Sequence, residues 1–313
     1  RPRAVRLALV AALIRAGTCA ATPGGGEPLA ATTFDCTSIG SFDEVWIDCG
    51  ADTTEMKAGA LTAEEARSIG CPPVFWEGVD RDEAATPDTQ PEPEPTGVEV
   101  PERTPDPAVA ARVDRAWDRI ERWLGTHASV TLRKLYFGRD PQSLTRIDNG
   151  LPHRLPDDLF ASYLRHDGAE GNFGEAFRLP SGYGLAPISS FDSFRFSHCE
   201  DLVIGGDLAK ADPEHGSWHG GFVGIGTDGN GNDLFVDPRT GRVGEAAYGE
   251  RVRYDGPMGW PSFVAMLEAV ADALETGRPL RSWYPVVSGC ELRWARGPAP
   301  LPTGCSGPPR PSP

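Results

Sequence analysis

The chain has 313 residues, a net charge of −15 and 39% apolar residues, enough to bury one sizeable core or two smaller ones. Its 30 Pro and 37 Gly are too many for one compact domain, so part of the chain is expected to lie outside a folded core. The excess of acid argues against a nucleic-acid partner, because phosphate contacts need clustered Lys and Arg.

Residues 1–21 have the pattern of a signal peptide. Three Arg within the first six residues precede an apolar run over residues 7–14, and small residues follow it. We therefore expect a secreted or cell-surface protein, and a cytoplasmic one if this segment is not a functional signal. Membrane attachment is expected only if Cys19 carries a lipid, because no other stretch approaches the ~20 apolar residues of a membrane span.

A small Cys-containing region of unknown fold is expected over residues 22–83. Within it, Thr62 and Glu65 form a capping-box pattern, which predicts a helix of one or two turns that ends at Gly70. Residues 84–107 follow, with a proline at nearly every third position and acids between them. That composition predicts an extended, disordered linker.

Cysteine number favours disulfides. If Cys19 is removed or lipidated, an even number remains, as expected of an exported chain. The candidates are Cys36, Cys49, Cys71, Cys199, Cys290 and Cys305. The last two flank part of a Pro- and Gly-rich tail, residues 286–313, and are expected to close it. The first three lie in one region, so one of them either pairs elsewhere, with Cys199 as the candidate, or stays free. No pair has the CxxC spacing of a zinc knuckle, so no metal is expected.

Helices and strands are expected after the linker. Apolar residues recur at helical spacing from Val109 to Leu124, and Pro156 followed by two acids marks the start of a second helix. A third apolar stripe begins at Phe263 and stops before Gly277. The expected helices cover residues 108–124, 155–168 and 261–276, and the expected strands cover residues 185–188, 222–226, 234–236 and 252–254.

Residues 221–241 predict a β-hairpin without reactive groups. Its Asp228 turn begins like a calcium loop, but Asp233 and Arg239 stand where that loop needs Gly and Glu. His215 and His219 have the spacing of two zinc ligands on a helix, yet the glycines around them argue against a helix. Cys199 follows a histidine, but adjacent side chains point in different directions and seldom form a nucleophile and base, so a buried or bridged Cys199 is favoured.

Five stretches in order resemble the SUKH superfamily of Smi/Knr-type domains, which includes fungal cell-wall regulators and bacterial toxin-immunity proteins. They are AWDRIERWL, LPDDLFASYLRHDG, GYGLAPISSF, GFVGIGTDGNGNDLFVDPRTGRV and WPSFVAMLEAVADAL. The resemblance covers residues 109–276. It implies an α+β domain over residues 108–285, with a twisted, mostly antiparallel sheet and flanking helices. It also implies protein binding without catalysis or a cofactor, with a toxin as one kind of partner.

The resemblance names no contact residues, so a binding surface has to be chosen from the sequence. Residues 197–220 are longer and richer in His than expected for the family, and exposed aromatics and acids there are the candidate contact surface. Trp218 is the expected anchor, with Asp212, Glu214 and His215 beside it. Two alternatives stay open: a secreted hydrolase or carbohydrate-binding protein, and a structural spacer that presents the Cys-containing region.

Overall fold

The computed structural model describes residues 37–41, 44–48, 60–72, 74–76, 101–247 and 249–307. The expected signal segment, Cys36, Cys49 and residues 84–100 of the expected linker lie outside the described residues. Among the helices of the described ranges, none combines the length and the apolar character needed to cross a membrane.

The described residues form an α+β fold, as predicted. The helices are α1 (Ala63–Ser68), α2 (Pro107–His127), α3 (Ser129–Lys134), α4 (Pro141–Gly150), α5 (Asp157–Arg165), α6 (Phe191–Gly205) and α7 (Phe263–Thr276). The strands are β1 (Thr37–Ser41), β2 (Glu44–Asp48), β3 (Val74–Trp76), β4 (Val223–Thr227), β5 (Asn232–Val236), β6 (Val243–Ala247), β7 (Tyr284–Ser288) and β8 (Glu291–Ala295). The strands of the described part pair in the orders β1-β2-β3, β4-β5-β6 and β7-β8, and all pairs except β2-β3 are antiparallel.

Helices α2, α5 and α7 pack against one another and carry most of the helical side of the main core. Helix α2 begins at Asp106, whose carboxylate accepts the N–H groups of Ala108 and Val109 at 2.9 and 3.0 Å. Its buried stripe includes Trp117, whose indole N–H donates to Ser162 of α5 at 3.0 Å. The three predicted helices are therefore present, with bounds that differ by a few residues from those expected.

The acidic start of α5 also fixes the start of α7. Asp158 is buried, and its Oδ2 accepts the N–H of Val264 in the first turn of α7 at 2.9 Å. Ser262 caps the same helix end by accepting the N–H of Ala265 at 3.2 Å. Burial raises the pKa of Asp158. The LPDDL sequence thus has a structural role, because its buried Asp158 ties the start of α5 to the start of α7.

The central sheet consists of β4, β5 and β6, and its inner face closes the main core. Val223 pairs with Val236 and Val236 with Val243, so three valines are aligned across the sheet and all are buried. The predicted strands at 222–226 and 234–236 are confirmed as β4 and β5. Strand β6 was missed because Gly244 and two alanines give it little β-strand signal.

Two expected strands were wrong. Residues 185–188 run beside β4, where Ala186 donates its N–H to Ile225 at 2.9 Å, but Pro187 lacks an N–H and a short 3₁₀ helix follows at Ile188–Ser190. Residues 252–254 make a single bridge, in which Arg253 exchanges both backbone hydrogen bonds with Glu245 of β6. Each segment touches the sheet edge too briefly to form a strand.

The chain after residue 285 is more ordered than a Pro- and Gly-rich tail suggests. Strands β7 and β8 form a hairpin, and Leu292 of β8 is fully buried in the main core. Cys290 and Cys305 form the predicted disulfide, with a Cα–Cα distance of 5.1 Å. The bridge holds the last described residues near α3, where Ser129 donates its N–H to the carbonyl of Cys305 at 3.3 Å.

The described end of the expected linker is also held. Arg103 forms ion pairs with Asp148 at 2.9 Å and with Asp157 at 2.6 Å, and its guanidinium lies 4.5 Å from the ring centre of Phe160. The side chain of Asp148 is fully buried, so Arg103 neutralises a charge that water does not reach. Residues 101–106 are therefore not a free linker.

Candidate functional site

The acids predicted for partner binding lie on one short loop, residues 212–216, which we call the acidic loop. Asp212 accepts the backbone N–H groups of Glu214 and His215 with one carboxylate oxygen, both at 2.8 Å. These backbone donors lower the pKa of Asp212. The side chains of Asp212, Glu214 and His215 are 50, 43 and 76% exposed. The loop therefore presents three polar side chains to solvent on a backbone that Asp212 itself fixes.

Contacts with the chain around and after β6 hold this loop in place. Glu214 pairs with Arg242, whose guanidinium lies 3.8 Å from the ring centre of Tyr254. The hydroxyl of Tyr254 donates to the carbonyl of Pro213 at 3.0 Å, and Val252 donates its N–H to Gly216 at 2.8 Å. The exposed side chains thus project from a braced loop, and ordering them on binding costs little entropy.

A buried turn is linked to the loop through Tyr254, whose hydroxyl also lies 3.4 Å from Oδ2 of Asp237. Asp237, fully buried, accepts from Arg239 at 2.8 Å and from the hydroxyl of Thr240 at 3.1 Å. Burial opposes ionisation, but Arg239 lowers the pKa of Asp237 below its usual value. This is the second turn predicted within residues 221–241, and the carboxylate of Asp237 accepts hydrogen bonds both from within the turn and from Tyr254.

Trp218 is not an exposed anchor, and this expectation was wrong. Its side chain is only 1% exposed and stacks on His198, with ring centres 3.9 Å apart and planes 9° apart. The edges of Phe222 and Phe235 meet it at 5.4 and 5.5 Å, and His198 is held by Asp233 at 2.7 Å. Trp218 therefore belongs to the interior of a second apolar cluster.

An exposed aromatic pair elsewhere was missed. Tyr136 and Phe137 are 41 and 48% exposed, more than nearly all other large apolar side chains of the described ranges. Their backbone is fixed, because Tyr136 donates its N–H to Gly168 at 3.0 Å and Phe137 accepts the N–H of Asp167 at 3.2 Å. Two adjacent aromatics after the end of α3 are the sequence signal that could have indicated them.

The histidine and cysteine candidates have structural partners. Nδ1 of His219 accepts the N–H of Gly221 at 3.0 Å, and burial together with the charge of Arg239 lowers its pKa to about 4. Cys199 is bridged to Cys71, which confirms the expectation of a bridged thiol. In the described ranges, no three His, Cys, Asp or Glu side chains come together as a metal site would require.

The calcium-like turn is used by the hairpin itself. One carboxylate oxygen of Asp228 accepts the N–H groups of Asn230 and Asn232 at 2.8 and 3.2 Å, and the other accepts the side-chain amide of Asn232 at 2.7 Å. These bonds close a tight Asx-type turn between β4 and β5. The predicted hairpin turn is therefore confirmed.

One open cavity of about 620 Å³ contains two carboxylates and bears on the hydrolase alternative. Both of them, Asp118 and Glu121, are paired with Arg165, at 2.7 and 2.9 Å. Burial alone would raise the pKa of Glu121, but hydrogen bonds from His166 and Arg165 bring it to about 2. A glycosidase general acid needs a raised pKa, so Glu121 does not suit that role.

Comparison with known proteins identifies the central part of the chain. A sequence model of the SMI1 / KNR4 family (SUKH-1) matches residues 139–269. The match begins just before α4, includes the acidic loop and the whole β4-β5-β6 sheet, and ends within α7. It confirms the resemblance over residues 139–269, and the first of the five stretches, residues 116–124, lies outside the match. No curated protein matches the chain closely.

Proposed function

Because residues 139–269 form a domain of the SMI1 / KNR4 family (SUKH-1), we propose that this protein is a module that binds a partner protein and has no catalytic activity of its own. Family membership supports this role in general terms. The finer proposal is that the partner is a secreted toxin, which this protein neutralises by covering part of its surface.

The acidic loop is the observation that carries the proposal. Asp212 and Glu214 are exposed, negatively charged and held in one arrangement by the backbone and by Arg242. Such a surface suits a partner that presents Lys or Arg side chains, because charge complementarity speeds encounter and fixes the orientation of binding. The loop lies within the residues that the family model matches.

We further propose that the protein acts outside the cytoplasm. Two disulfides, Cys71–Cys199 and Cys290–Cys305, support this, because disulfides form and persist in oxidising compartments. The signal-like pattern of residues 1–21 points the same way. This protein would then bind the toxin outside the cytoplasm, before the toxin enters the compartment in which it acts.

If a toxin gene lies beside the gene for this protein, titration calorimetry with that toxin tests the proposal. The variant Asp212→Asn/Glu214→Gln removes two charges but keeps the oxygens that accept the loop hydrogen bonds. We expect its affinity to fall about tenfold, or 1.4 kcal/mol, with the fold unchanged. The matched control Glu102→Gln/Asp114→Asn, which removes two exposed charges elsewhere, should bind like the unmodified protein.

Two outcomes would contradict the proposal. Equal affinities of the loop variant and the control would show that the acidic loop makes no contact. A change in the toxin's mass after incubation would reveal a chemical reaction and exclude a purely binding role.

A further inference from the structure

A short segment from the N-terminal region, residues 60–72, lies against the main domain (residues 101–307), and we call it the docked segment. Thr62 and Glu65 form the predicted capping box: the backbone N–H of Thr62 donates to Glu65 at 2.8 Å, and that of Glu65 donates to the Thr62 hydroxyl at 3.2 Å. Helix α1 follows, and its apolar side faces the main domain. The buried residues of the segment are Leu61, Ala66, Ile69, Cys71 and Pro72.

Backbone hydrogen bonds attach the docked segment at both ends. Leu61 donates its N–H to the carbonyl of Val203 on α6 at 2.8 Å. At the other end, Gly220 donates its N–H to Ile69 at 2.9 Å. Arg195 of α6 donates two N–H groups to the carbonyl of Gly70, at 3.1 and 2.8 Å. The main domain therefore recognises the backbone of this segment as well as its apolar side chains.

Two glycines allow the segment to cross the main domain in close contact. Gly70 has a φ of +76°, and a Cβ placed on it would lie 2.8 Å from the nitrogen of Gly221. A Cβ on Gly220 would collide with the backbone of Gly70. Immediately after this crossing, Cys71 is bridged to Cys199 of α6, and both cysteines are buried. The two glycines thus permit the close contact between the segment and the main domain, and the disulfide links the two covalently.

In the described part of the chain, every residue of the apolar cluster that the segment joins, apart from the segment's own, lies inside the family match. These residues include apolar side chains on α6 and on the chain leading into β4, among them Leu202, Val203, Trp218 and Phe222. The docked segment lies outside the match, and residues 73–100 separate it from the main domain along the chain. The family domain thus provides an apolar face that a separate piece of chain occupies.

We propose that this face is a peptide-binding groove of the domain, and that the docked segment is its built-in ligand, locked in place by Cys71–Cys199. The ligand chemistry is a short capped helix with Leu61, Ala66 and Ile69 on one side, followed by a glycine that permits the close crossing. While the disulfide is intact, no other peptide enters the groove. The groove is distinct from the acidic loop, so its failure leaves the partner-binding proposal standing.

A peptide-binding experiment on the full chain tests this. The probe is a fluorescein-labelled peptide of residues 58–73 with Cys71→Ala, measured by fluorescence anisotropy. The receptor is Ile69→Asp/Cys71→Ala/Cys199→Ala, in which the lock is removed and the chain's own segment is weakened. We expect this variant to bind the peptide at least about tenfold more tightly than the oxidised unmodified protein, since a tethered ligand competes at an effective concentration of roughly millimolar.

Specificity and folding are checked in parallel. A peptide that also carries Ile69→Asp should not bind, and near-ultraviolet circular dichroism should show that the receptor keeps its tertiary structure. A folded receptor that ignores the peptide would overturn the proposal.

If the triple variant does not fold, hydrogen exchange of Cys71→Ala/Cys199→Ala decides the matter. A groove with a ligand predicts that the amides of residues 60–72 exchange much faster than those of α7, because the segment leaves while the domain stays folded. Equal exchange of the two would show that the segment is an inseparable part of the fold and would refute the proposal.

Discussion

Trp218→Ala should destabilise the protein and leave partner affinity unchanged. The side chain is 1% exposed, stacks on His198 at 3.9 Å and meets Phe222 and Phe235 at 5.4 and 5.5 Å, so its removal leaves a cavity walled by aromatic rings. Large-to-small changes at such sites cost about 3–5 kcal/mol. Domains have only about 5–15 kcal/mol of stability in total, so the loss is easily measured by urea denaturation followed by circular dichroism.

The milder variant Trp218→Phe separates packing from polar effects. The indole N–H of Trp218 is buried and has no hydrogen-bond partner among the described residues, so replacing it removes no favourable bond seen there. We expect Trp218→Phe to keep most of the stability that Trp218→Ala loses. A loss below about 1 kcal/mol for Trp218→Ala, or a loss of partner affinity in a fully folded variant, would refute this account and restore the surface role.

Three further predictions concern groups with defined partners. Arg103→Ala leaves the fully buried carboxylate of Asp148 without its cation, and we expect a loss of about 3–5 kcal/mol in urea denaturation; a change below 1 kcal/mol would mean that water reaches Asp148. Cys290→Ser/Cys305→Ser opens a loop with a sequence separation of 15, which should cost about 3 kcal/mol on the loop-entropy model, and an unchanged midpoint would argue against the bridge. The pKa of His219 is lowered from 6.5 to about 4 in the folded protein. Between these two pH values, His219 is therefore protonated in the unfolded chain and neutral in the folded protein. Stability should therefore fall as the pH falls through that window, and His219→Gln should flatten this part of the profile of thermal midpoint against pH; an equal slope in both proteins would contradict it.

The sequence predicts the helices better than the strands. Helices α2, α5 and α7 carry long apolar stripes at helical spacing, and local propensity and burial agree in them. Helix α6 lacks such a stripe, because its apolar residues, which include Phe191, Phe194 and Leu202, are not gathered on one side, and the His- and Gly-rich residues that follow it suggest an exposed insert. The false strand at residues 185–188 has the right composition, and only its fixed place beside β4 shows that Pro187 ends the pairing.

The candidate site was predictable in part for a related reason. Asp212, Glu214 and His215 are exposed as expected, because short acidic loops that contain proline and glycine are rarely buried. The position of Trp218 depends on rings from β5 and the start of β4 and on the docked segment, which joins the same cluster from more than a hundred positions earlier in the chain. No local pattern contains that information. Tyr136 and Phe137 were missed for the converse reason, since aromatics near a helix end are expected to be buried.

The segment between Cys71 and Arg103 is attached to the domain at both ends, and this bears on the role of its negative charge. Cys71 is bonded to Cys199, and Arg103 is paired with Asp148, so both ends of the intervening chain are fixed on the same domain. Residues 73–100, which lie between these two attachment points in the sequence, contain eight acids and one base. A concentrated charge of one sign steers an oppositely charged protein over about one Debye length, roughly 8–10 Å at physiological salt. The composition of residues 73–100 and the exposed acidic loop thus favour the same kind of partner, a protein with a basic contact surface.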